Sequence, residues 1–122
     1  MKPEPRSWRL SIERERRGQV VVFTVAGRLA ARSSADLTER LVDAIDAGTV
    51  RIAIDLGGVD YVSSAGLLAI EAVAARVHTA GGELVLCALT EAVRRAIDLA
   101  GLLPHIIVEA SADAAVQRLS SK

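Results

Sequence analysis

Seven consecutive residues, Val20-Val21-Val22-Phe23-Thr24-Val25-Ala26, constrain this chain more than any other feature. The run is almost continuously apolar and rich in β-branched side chains. A strand with one wet face would alternate, so this one is predicted to lie centrally with both faces covered. That requirement implies packing elements on both sides of a sheet. Gly27 ends the run.

The segments around it supply those elements. Trp8, Leu10 and Ile12 alternate with Arg9, Ser11 and Glu13, the period of a half-buried strand. The charged run Arg14-Glu15-Arg16-Arg17-Gly18 reads as a hairpin turn between the two strands. A first helix is expected with Ser33 or Ser34 as its cap, Asp36 in the first turn, and Leu37, Leu41, Ala44 and Ile45 as the inner stripe; Gly48 stops it. Val50, Ile52, Ile54 and Leu56 mark a third strand, and Gly57-Gly58-Val59-Asp60 reads as the turn after it.

Tyr61-Val62-Ser63-Ser64-Ala65-Gly66 leads into a second helix with Leu67, Ile70, Ala74 and Val77 inward. Leu84 to Leu89 form a buried strand. Thr90 and Glu91 open a third helix, with Val93, Ala96, Ile97 and Ala100 on one face. His105 to Val108 give a short last strand, and Ser111 caps a final helix carrying Ala112, Ala115, Val116 and Leu119. The order β-β-α-β-α-β-α-β-α predicts an α/β domain. Its mixed sheet has about five strands and opens with a hairpin, and about four helices pack on it. Residues 1–7 are expected to be a flexible tail and residues 8–122 a single domain, as the length of 122 residues suggests.

Composition removes several functions. Lys+Arg and Asp+Glu each count 15, so no cationic excess exists to grip nucleic acid or anionic lipid. Trp8, Phe23 and Tyr61 are the whole aromatic set, too few for a base-stacking platform. With Cys87 the lone cysteine and His78 and His105 far apart in sequence, no disulfide, metal centre or cofactor is expected. No apolar run approaches a membrane span, and no apolar segment follows the charged N-terminus, so direct membrane insertion is not expected and a reducing cytoplasm is. Neither a nucleophile elbow nor a phosphate-binding glycine loop occurs, so the chain is not read as an enzyme. Asp55 and Asp60 read as strand-end and turn residues, Cys87 as an inert core residue, Arg94-Arg95 as a solvated face, and Trp8 as packing the first strand onto the sheet. What remains is Ser63-Ser64 at the mouth of the second helix, where unpaired N–H groups would also receive a phosphate.

Three stretches at family spacing carry a resemblance: Val21 to Leu29, Ile54 to Leu67, and Gly82 to Leu102. Together they resemble the STAS domain of bacterial anti-sigma factor antagonists, over about Leu10 to Leu119. The resemblance implies partner switching. The unphosphorylated antagonist sequesters an anti-sigma factor that is also a serine protein kinase, phosphorylation at the start of the second helix releases it, and a serine phosphatase reverses the mark. The implied contact surface is Arg28, Leu29 and Ala30 with Ser63, Ser64, Ala65, Gly66, Leu67 and Leu68.

This chain departs from the family pattern twice. Where the family carries the acceptor hydroxyl before the glycine stands Ala65, and where it carries an aspartate after the Gly-x-Leu turn stands Ala30. Either Ser64, with Ser63 as the neighbouring candidate, takes over as acceptor, or the chain works without phosphorylation. In the latter case it would be a STAS subunit of a membrane transporter, of the phospholipid-transport ATPase type, or of a signalling complex. A small-ligand or nucleotide site at the glycines Gly57, Gly58 and Gly66 is a third reading.

Overall fold

The computed structural model describes residues 9–121. The elements run β1 (Ser11–Arg17), β2 (Val20–Leu29), α1 (Ala31–Asp46), β3 (Arg51–Val62), α2 (Ser64–Thr79), β4 (Glu83–Cys87), α3 (Glu91–Leu99), a 3₁₀ turn (Leu103–His105), β5 (Ile107–Glu109) and α4 (Ala112–Ser120). The five strands form one sheet in the order β1-β2-β3-β4-β5. β1 is antiparallel to β2, and every later pair is parallel.

The sheet has two unequal covers. On one face, Val21, Phe23, Val25, Ile52, Ile54, Leu84 and Leu86 pack against Leu37 and Leu41 of α1, Ile70, Val73 and Val77 of α2, and Val93 and Ile97 of α3. On the other, Val20, Val22, Ala53, Val85 and Cys87 meet Ala115 and Leu119 of α4, with Ala112, Val116 and Ile107 of β5 partly buried against them. The central run of β2 is thus apolar at both alternating sets of positions because each set has a helix against it.

Several boundaries differ from expectation. The charged run Arg14–Arg17 is strand rather than turn, and the reversal is made by Gly18-Gln19 alone. Charges fit an edge strand, where they discourage pairing with another chain, and Arg14 has its guanidinium carbon 5.7 Å from the centre of the Phe23 ring. Gly57-Gly58-Val59-Asp60 is not a turn either, since β3 runs through it for twelve residues. The pairing of β2 with β3 slips in register here, and a Cβ on Gly58 would lie 2.7 Å from the Cβ of Ala26. The glycine serves close strand approach, not chain reversal.

α1 starts at Ala31 with Ala30 at the cap position, so neither Ser33 nor Ser34 is the cap; Asp36 lies beyond the first turn and pairs with Arg40 at 3.6 Å. β4 stops at Cys87, and Pro104 draws His105 into the 3₁₀ turn, so β5 begins at Ile107. Ala100 is exposed at the end of α3, and Leu67 and Ala74 only flank the inner stripe of α2, which Val73 joins. Thr90 and Ser111 do cap α3 and α4. Trp8 and the expected tail lie outside the described residues.

Candidate functional site

Two strand-to-helix junctions meet at one end of the sheet. β2 passes into α1 through Arg28-Leu29-Ala30, and β3 passes into α2 through Val62-Ser63-Ser64. The Ser63 N–H donates to the Leu29 carbonyl at 2.8 Å, which locks the junctions together. Gly66 completes the contact. A Cβ there would lie 2.7 Å from the Leu29 oxygen and 2.8 Å from a Val62 methyl, so only glycine lets α2 settle this close.

The first turn of α2 follows from its sequence. Ser63 adopts the extended cap conformation and its hydroxyl oxygen accepts from the Gly66 N–H at 3.2 Å. The Leu67 N–H bonds to the Ser63 carbonyl. Among the described residues, the N–H groups of Ser64 and Ala65 and the hydroxyl of Ser64 take no partner. Ser64 is exposed, Ser63 and Ala65 are half-buried, and Leu68 is 65% exposed.

The α1 junction is built differently. The Ser33 hydroxyl accepts from the Ala30 N–H at 2.9 Å and donates to the Arg28 carbonyl at 2.6 Å. Ala30 is half-buried and offers no polar side chain. Arg28 is exposed and stacks its guanidinium carbon 4.1 Å from the centre of the Tyr61 ring.

The structure therefore brings the expected residues together but not to equal use. Leu29 is 1% exposed and Gly66 is buried, so both shape the site from beneath rather than face a partner. Leu67 is half-buried at the edge of the core. Ala65 and Leu68 instead line an open groove of about 720 Å³ between α2 and α1, whose opposite wall is Ser34, Ala35, Thr38, Glu39 and Val42. That wall was not read from sequence. Its one signal is Val42, an apolar residue off the inner stripe of α1. Tyr61 was also missed, because its contact with Arg28 comes from strand pairing.

Cys87 lies in β4, donates to the Ile54 carbonyl at 3.6 Å, and has its pKa pushed up to about 12 by burial and then by Asp55 and Glu109. No cluster of three or more metal-ligating side chains occurs among the described residues, and no helix there is long and apolar enough to cross a membrane.

The profile of the STAS domain matches residues 11–115. The chain belongs to the STAS domain family. BtrV of Bordetella bronchiseptica, named as an anti-sigma factor antagonist, is 34% identical to this STAS domain over 96 residues, 79% of this chain and 83% of that protein. The crystal structure of an anti-sigma factor antagonist from Mycobacterium paratuberculosis superimposes with a TM-score of 0.84 at 22% identity, over 93% of this chain and 96% of that one. SpoIIAA of Bacillus in its phosphorylated form gives a TM-score of 0.70 at 18% identity, over 88% of this chain and 98% of that one. The mixed five-stranded sheet with four helices is the STAS fold.

Proposed function

We propose that this STAS domain is an anti-sigma factor antagonist that works by binding. Its docking face is the mouth of α2 with the adjoining groove, and Ser64 is its phosphate acceptor. The likeness to BtrV favours the partner class. The observation that carries the acceptor is the exposed hydroxyl of Ser64 beside two open N–H donors, one helical turn from the exposed Leu68. Ser63 is the weaker candidate because its hydroxyl already caps the helix.

The partner fitting this role is an anti-sigma factor with serine kinase activity, opposed by a serine phosphatase. A phosphate on Ser64 adds up to about two negative charges next to an apolar groove, which expels a docked apolar surface by desolvation and repulsion. The alanines at 65 and 30 favour a second reading, a constitutive STAS subunit of a transporter or signalling complex. Peptide mass spectrometry on the protein from its native cells, with and without phosphatase, tests the acceptor. One removable phosphate on Ser64 is expected. Its absence across growth and stress conditions, together with equal partner capture by Ser64→Asp and Ser64→Ala, would overturn the switch and leave the constitutive subunit.

A further inference from the structure

The two junctions at the docking face are one-sided in charge. Over the whole chain Lys+Arg and Asp+Glu balance at 15 each. Residues 26–35 and 61–70, the ends of β2 and β3 with the starts of α1 and α2, contain Arg28 and Arg32 and no aspartate or glutamate. Both arginines are exposed. The acids that flank these stretches are Asp36, which pairs with Arg40 at 3.6 Å, Asp60 and Glu71. The surface complementary to such a face is negative.

Arg28 is the cation that the fold holds in place there. Its carbonyl accepts from the Ser33 hydroxyl at 2.6 Å, and the pairing of β2 with β3 sets it opposite Tyr61. Its guanidinium carbon lies 4.1 Å from the centre of the Tyr61 ring, which is itself 39% exposed. Arg17, Arg40, Arg76, Arg95 and Arg118 each spend their guanidinium on a carboxylate of this chain. Arg28 does not: no carboxylate among the described residues pairs with it, Asp60 included. A ring held this close restricts the side chain's rotamers without supplying an acceptor for its five N–H donors. A planar guanidinium fixed in this way matches a carboxylate, which can take two parallel hydrogen bonds from it.

We propose that Arg28, held on Tyr61, anchors an aspartate or glutamate side chain of the partner protein. The proposal rests on the reading of this face as a docking surface and gives that surface its polarity: the partner presents an acid beside apolar residues. A phosphate on Ser64 adds its negative charge to the same pair of junctions and opposes the partner's carboxylate.

The test uses a phage-displayed library of random dodecapeptides selected on the full chain. The library is first depleted on Leu68→Ser, a neutral change at an exposed position, so that the retained peptides need the docking face. These peptides are expected to carry Asp or Glu beside apolar residues and to bind Arg28→Gln about tenfold more weakly, the size of a lost charge-assisted hydrogen bond. Binding to Arg28→Glu is expected to return when their acid is replaced by lysine. Tyr61→Leu, which keeps apolar bulk but removes the ring, should weaken them about threefold. The absence of any peptide that depends on Leu68 would overturn the docking face and the anchor with it. Leu68-dependent peptides that lack an acid, or that bind Arg28→Gln as well as the unchanged protein, would overturn the anchor and leave the docking face. A loss on Arg28→Gln with none on Ser64→Asp would support the anchor and overturn the phosphate switch.

Discussion

Two helices of this chain carry a Ser-Ser pair near their start, and the two pairs have opposite fates. In α1, Ser33 and Ser34 are 1% and 4% exposed, with Ser33 bridging Ala30 and Arg28 and Ser34 bonded to the Ala31 carbonyl at 3.1 Å. In α2, Ser63 is the cap and Ser64 stands in solvent. The dipeptide is the same; the offset from the helix boundary differs by three residues. Three residues into a helix that packs on a sheet, a hydroxyl turns beneath the incoming chain and satisfies backbone groups there. At the boundary itself one hydroxyl caps and the next projects outward. The first pair is therefore structural, and of the second only Ser64 keeps an exposed hydroxyl.

Stability measurements can break this contrast. Gly66→Ala is expected to have the largest effect, about 3 kcal/mol, because the added methyl meets backbone oxygen rather than a yielding side chain; urea denaturation of the pure protein reads it. Ser33→Ala should cost about 2 kcal/mol by leaving a part-buried N–H and carbonyl without their bridge. Ser63→Ala, losing only a cap bond, should cost about 1 kcal/mol. Ser64→Ala should change stability by no more than about 0.5 kcal/mol, and on the proposed acceptor role it abolishes phosphate uptake. Equal losses at Ser33 and Ser64 in the same denaturation series would erase the distinction, and phosphate retained in Ser64→Ala would move the acceptor elsewhere.

The local geometry of the candidate site was partly legible in the sequence. Ser63, Ser64, Ala65 and Leu68 lie along one local segment, and the cap, the open hydroxyl and the exposed leucine follow from position in the helix. Leu29 misleads on the same reasoning. It belongs to the turn by sequence, yet it is the last core residue of β2 and contributes its carbonyl rather than its side chain. The α1 wall of the groove was invisible because Thr38, Glu39 and Val42 become a surface only when α2 lies beside them.

What the sequence determined alone was periodic or local. The double-faced burial of Val20 to Phe23, the inner stripe of α1, and the caps at Ser63, Thr90 and Ser111 are set by side chains within a few residues of one another. What tertiary structure decided was long-range. Gly57-Gly58 continue a strand because Ala26 approaches from β2, and Arg14–Arg17 become strand because Val20–Phe23 offer an edge. A glycine or a charged residue is compatible with several backbone states, and the contact that selects among them comes from a part of the chain that local pattern does not encode.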